Sequence, residues 1–170
     1  HDIGYSLLPT CLHVGHFRIS NTGSGTTNIN DSATISITEI DDAPTLAGLD
    51  NNSWVEDTDV APKVIDSAVT LADVDSDSIT QITVQITGNY DSAEDRLAVG
   101  ALAGFNAGTF NTATGLLTIT STGASATVAQ AEAVLEAITY QNLDTDDPTA
   151  NVRRLSWTVT DGIRSEERRV

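Results

Sequence analysis

A strand that runs into two aspartates and then a proline, Ala33 to Pro44, constrains this chain more than any other stretch. Ala33, Ile35 and Ile37 alternate with Thr34, Ser36 and Thr38, and that period of two predicts a half-buried β-strand. Pro44 lacks the N–H that a ladder needs and biases Ala43 towards extended backbone, so the strand has to stop there. Asp41 and Asp42 stand side by side at the stop and repel one another unless water or a cation lies between them. A strand end, an acidic pair and a proline in that order predict a joint between two β-domains.

Charge narrows what such a chain can bind. Its 24 acidic residues against 8 basic ones give a formal net charge of −16 and a pI near 4.1. That balance excludes the Lys and Arg patches that nucleic acids and anionic membrane surfaces require. It leaves two readings, plain solubility or divalent-cation binding. A hydrophobic fraction of 39% with only 5% aromatic residues suits a β-sandwich of small side chains better than disorder. No stretch approaches the roughly 18 apolar residues of a membrane helix, so no direct membrane insertion is expected. The start lacks a basic region followed by a long apolar core, so it is not read as a signal peptide. The sequence contains no methionine, and a fragment or processed product is expected. Cys11 is the single cysteine and cannot form an internal disulfide, so an extracellular domain of this kind needs another staple, for which a metal is the candidate.

The chain divides into four stretches. Residues 1–19 hold all three histidines (His1, His13, His16) and Cys11, with no clean period, and read as an atypical, foreign or poorly ordered segment. Cys11, His13 and His16 lack a fourth ligand at zinc spacing. Residues 20–42 read as the closing strand of a preceding unit plus a linker. Residues 43–162 read as one sandwich. Within it Ile82, Val84 and Ile86 alternate with Thr83, Gln85 and Thr87, Leu117 and Ile119 with Thr118 and Thr120, and Leu155, Trp157 and Val159 with Ser156, Thr158 and Thr160. Leu97 and Val99 predict a shorter strand, Trp54-Val55 and Val64-Ile65 flank an edge-like stretch, and Phe105 and Phe110 plug a Gly/Asn/Thr-rich segment. Val128, Ala131, Val134, Leu135 and Ile138 recur at helical spacing behind Thr127 and Gln130, a capping box opening a helix of about three turns. That helix reads as a crossover packed on the sandwich. Residues 163–170 carry three of the eight basic residues (Arg164, Arg168, Arg169) beside Glu166 and Glu167. They read as a charged tail without function.

From about Asn30 to Gly162 the chain resembles the cadherin-like tandem repeats of very large bacterial surface and secreted adhesins, exported by type I secretion. The residues carrying the likeness are Glu39-Ile40-Asp41-Asp42-Ala43-Pro44-Thr45, Val55-Glu56-Asp57, Leu71-Ala72-Asp73-Val74-Asp75-Ser76, Glu94-Asp95-Arg96-Leu97, Gly115-Leu116-Leu117-Thr118-Ile119, Ile138-Thr139-Tyr140-Gln141-Asn142 and Trp157-Thr158-Val159-Thr160-Asp161-Gly162. The resemblance implies a mainly β fold, a Greek-key or Ig-like (cadherin-like) antiparallel β-sandwich with one short crossover helix, strung in a stalk with calcium at the joints. It implies that Asp41 and Asp42 are the acidic linker, Asp73 and Asp75 the Asp-x-Asp pair of the following domain, and Glu56 an acidic position near the start of the repeat. The chain departs from the family at both ends: only the closing strand of the preceding repeat is present, and the last strand of this repeat is missing after Gly162. Residues 33–39 are then expected to fill that gap by pairing with 154–160.

The chemistry fits a hard cation. Calcium takes roughly 6–8 oxygen ligands, and Asp73 and Asp75, two apart, can turn to one ion with Asp77 extending the set. An EF-hand is excluded, because its sixth position here is Ser78 rather than Gly and its twelfth is Val84 rather than Glu. The plainer alternative is that these aspartates only cap turns, and it stands level with a metal site for Asp144, Asp146 and Asp147. No histidine or cysteine follows residue 16, which removes Ser/His and Cys/His nucleophiles from the folded part. Glu94 and Asp95 lack the aromatic platforms of a glycosidase cleft, so no enzyme is expected. The metal residues expected are Asp41, Asp42, Glu56, Asp73, Asp75 and Asp77, with calcium as the ion. Partners would be neighbouring repeats of the same chain, then host or cell-surface proteins or glycans, at an extracellular or cell-surface location. A carbohydrate- or protein-binding module is the rival, and whether Trp54 lies in a groove discriminates it; Trp157, in an alternating strand, is expected in the core.

Overall fold

The computed structural model describes residues 14–19, 31–38, 40–55, 58–75, 78–123 and 126–169. Two compact units divide between Ile40 and Asp41, so Asp41 and Asp42 group with the second. In the first unit β1 (Val14–Ile19) pairs antiparallel with β2 (Asp31–Ser36). The predicted strand forms but does not bury its apolar positions: Ile35 and Ile37 are 63% and 58% exposed. Among the described residues this unit is a two-stranded ribbon, without a second layer to cover them.

The second unit is a mainly β sandwich. One layer is a five-stranded antiparallel sheet in the order β12 (Ser165–Arg169), β11 (Arg154–Thr160), β6 (Gln81–Gly88), β9 (Leu116–Thr120), β8 (Thr109–Asn111). The other carries β4 (Lys63–Val64), β10 (Thr139–Asn142) and β7 (Asp95–Ala98), with the separate pair β3 (Thr45–Ala47) and β5 (Thr70–Ala72). Register explains the core. Val159 pairs with Ile82 and Ile82 with Ile119, while Trp157 pairs with Val84 and Val84 with Leu117. The alternating residues of three strands therefore form continuous buried rows on one face. Leu97, Phe105, Ile138 and the Leu46–Leu71 pair close over them.

One helix, α1 (Val128–Glu136), joins β9 of the first layer to β10 of the second. Its start is the capping box expected: the Gln130 N–H donates to Thr127 Oγ1 and the Thr127 N–H to Gln130 Oε1. Ala131, Val134 and Leu135 are its buried stripe, and the Leu71 N–H donates to Glu132 Oε2 at 2.8 Å, fixing the helix to β5.

Two expectations change. The last strand is not missing: β12 pairs antiparallel with β11, Trp157 opposite Arg168 and Val159 opposite Glu166. It occupies the place expected for residues 33–39; of these, 33–36 pair with β1 instead, and residue 39 lies outside the described residues. Strand β12 lacks any apolar residue; its backbone ladder, with Ser156 Oγ donating to Glu167 Oε1 at 2.8 Å, holds it at an edge where its charged side chains deter further pairing. Of the two pairs expected to flank an edge-like stretch, Val64 falls in β4 and Trp54-Val55 is loop.

Candidate metal centre

Three segments of the second unit bring carboxylates together. Strand β5 ends at Ala72 and the chain bends through Asp73-Val74-Asp75; Val74 points outward, 82% exposed, while both aspartates are half-buried. This is the i, i+2 pairing expected of them. The linker arrives from Ile40, with Pro44 buried and the Asp42 N–H donating to Asp75 Oδ2 at 2.6 Å. Strand β11 ends at Asp161, which is 8% exposed. Asp161 Oδ1 accepts the N–H groups of Ile163 at 2.6 Å and Arg164 at 2.7 Å.

The remaining oxygens are the notable ones. Asp41 Oδ2, Asp75 Oδ1 and Asp161 Oδ2 are each buried with no hydrogen-bond partner. A buried acceptor without a donor costs free energy, and a buried charge costs more. Asp41 shows the strain electrostatically: its carboxyl is held above the usual range, first by burial, then by the charges of Asp161 and Asp75, with the Arg164 guanidinium opposing and Asp73 adding to the rise. Among the described residues the cation that pairs with Asp41 is that guanidinium, Arg164 Nε lying 3.8 Å from Asp41 Oδ2.

These residues fit a hard divalent cation by donor chemistry, since oxygen atoms of several aspartates without donors are what calcium selects. As they stand they do not form a finished cage: among the described residues no three His, Cys, Asp or Glu side chains are arranged to hold a metal ion. Of the residues expected from sequence, Asp41, Asp73 and Asp75 come together; Asp42 joins through its backbone N–H with its side chain exposed. Glu56 and Asp77 lie outside the described residues, as do Cys11 and His13. Asp161 was missed. Its only signal was a position at the end of a strong strand, before Gly162.

A second acidic cluster is built oppositely. Asp95, fully buried, accepts Arg153 Nε on both oxygens at 3.0 and 2.9 Å, the Tyr140 hydroxyl at 2.6 Å and the Asp91 N–H at 2.7 Å. Glu94 accepts Arg153 Nη2, Asn142 Nδ2, and the N–H and Oγ1–H of Thr149. Hydrogen bonds from Asn142 and Thr149 lead the causes that hold Glu94 below the usual carboxylate range. Burial, then Asp95, pushes the Tyr140 phenol up, so it stays a donor. Asp144 Oδ1 accepts the N–H groups of Asp146 and Asp147, which is turn capping.

Beside this cluster runs a groove of about 900 Å³, lined by Trp54, Val55, Val64, Ile65, Val152 and Leu155 among others. Trp54 is half-buried there and its Nε1–H has no partner. Trp157 is 1% exposed and belongs to the core. Comparison of the chain with protein-family models, curated proteins and solved structures finds no match.

Proposed function

We propose that this chain is a calcium-binding structural repeat of an extracellular bacterial adhesin, cadherin-like in its sandwich, that acts as a spacer whose joint calcium stiffens. The reading rests on one observation: buried carboxylate oxygens of Asp41, Asp75 and Asp161, from three separate segments, meet without donors. Asp41, Asp73, Asp75 and Asp161 would hold the ion, tying the linker to the end of β5 and the end of β11. Extracellular modules bind calcium at roughly 10⁻⁴–10⁻³ M, so the site would fill outside a cell and empty inside one. Neighbouring repeats of the same chain are the first partners this implies. The test is isothermal titration of calcium into the full chain and into the double variant Asp73→Ala, Asp75→Ala; unchanged affinity in the variant would place the ion elsewhere.

Trp54 supports a second reading, a carbohydrate- or protein-binding module, because it lines a groove instead of packing in the core. Stacking of a sugar ring on an indole changes its fluorescence. A glycan-array hit that quenches the wild type and not Trp54→Phe would favour that reading.

A further inference from the structure

We propose that Arg164 is a tethered counter-cation of the joint, which an incoming divalent ion has to displace, and that it thereby sets the calcium concentration at which the site fills. This rests on the calcium reading above and goes beyond it by assigning a residue that controls the threshold.

The guanidinium is delivered by a fixed turn. Thr160 Oγ1 donates to the Arg164 carbonyl at 2.6 Å, and the Arg164 N–H donates to Asp161 Oδ1 at 2.7 Å. The backbone of Arg164 is thus held by the same aspartate that offers Oδ2 to the site. The side chain is not held in the same way. Its Nε lies 3.8 Å from Asp41 Oδ2, with 52% of the side chain exposed against 26% for Asp41. That distance is an ion pair without a hydrogen bond, so the guanidinium neutralises part of the joint and remains free to swing into solvent. The other ion pairs among the described residues, Lys63–Asp59, Arg153 with Glu94 and Asp95, and Arg169–Glu167, lie elsewhere.

An arginine cannot shed its proton at any working pH. A divalent ion entering beside Asp41 therefore meets a permanent positive charge and has to drive it out. Binding is weakened by the attraction that is lost, and the linker stays loosely tied to the domain when calcium is absent. Removing the charge acts in two opposite directions, and a merely structural residue would do only one of them. Without calcium the joint loses the one cation that pairs with it among the described residues and becomes less stable. With calcium the competitor is gone and the ion binds tighter, by roughly five- to ten-fold at physiological salt for a half-exposed charge at this range.

The experiment is isothermal titration of calcium chloride into the full chain as wild type, Arg164→Gln and Arg164→Lys, each at 50 and 300 mM sodium chloride. The expected result is tighter binding by R164Q, wild-type affinity for R164K, and a gap between R164Q and wild type that shrinks at the higher salt as screening weakens the competitor. Equal or weaker binding by R164Q, with the wild type still binding, overturns the role of Arg164 and leaves the calcium site standing. Absence of calcium binding in all three folded proteins overturns both.

Discussion

Two clusters in the second unit are both built around buried carboxylates and behave as opposites. Around Asp95 every carboxylate oxygen has a donor, supplied by Arg153, Tyr140, Asn142, Thr149 and the Asp91 backbone. Around Asp161 three carboxylates keep a buried oxygen with no donor at all. The first cluster is complete without help, and its product is mechanical: it pins the 148–153 loop to β7 and β10. The second is left with unsatisfied oxygens, and the cation that pairs with it, Arg164, stands 3.8 Å from Asp41 Oδ2 without a hydrogen bond. A buried acid that the chain itself satisfies is a staple, and one the chain leaves unsatisfied is what the calcium proposal above sets out to explain.

The contrast is sharpest if one member of each cluster is removed. Arg153→Ala strands the fully buried Asp95 charge and should cost about 3–5 kcal/mol of stability, with or without calcium; urea unfolding reads it, and a loss under about 1 kcal/mol would mean the network is not the staple described. Asp161→Asn keeps the Oδ1 acceptor for Ile163 and Arg164 but deletes a charge from the joint. In chelator its stability should be unchanged or up to about 1 kcal/mol higher, since like charges no longer crowd; in calcium the stabilisation should be gone. A D161N protein that is clearly weaker in chelator would put Asp161 with the staple.

Acid separates them further. Glu94 is held below its ordinary value near 4.5 in the folded protein. A depressed folded value contributes stability that is present above the unfolded value and is lost as pH falls through the folded one. Unfolding midpoints should therefore fall as pH drops below about 4.5, and Glu94→Gln should flatten that fall. A slope unchanged in E94Q would assign the acid sensitivity elsewhere. The smallest effect expected is at the helix, where Thr127→Ala removes one side of the capping box for about 1 kcal/mol and, lying outside both clusters, should leave the calcium response intact.

What could be read from the sequence is what repeats locally. The strands of β6, β9 and β11 alternate with period two, α1 announces itself with Thr127 and Gln130, and Asp73 and Asp75 sit two apart on one bend. Asp161 was not legible beside Asp73 and Asp75, because only the pairing of β11 with β6, Thr160 opposite Gln81, brings the end of β11 to the stretch that leads from β5 into β6. Arg153 and Asp95 are 58 residues apart and nothing in their surroundings pairs them. Strand β12 was hidden for a different reason: Ser165 to Arg169 carries no apolar period, and its place is fixed by the backbone ladder to β11. Alternation misled at the end of β2, where Ile35 and the following Ile37 have the spacing of a buried face and are 63% and 58% exposed, with no layer over them among the described residues.

The most direct test of the central claim is thermal unfolding of the full chain in 10 mM calcium against chelator. For a site filling near 1 mM, mass action gives about 1.4 kcal/mol of stabilisation, a rise of roughly 5 °C for a domain of this size. A rise of that order, absent in D161N, is the predicted result. A melting temperature that does not move in the wild type at 10 mM calcium would contradict the account, and the unsatisfied oxygens of the joint would need another explanation.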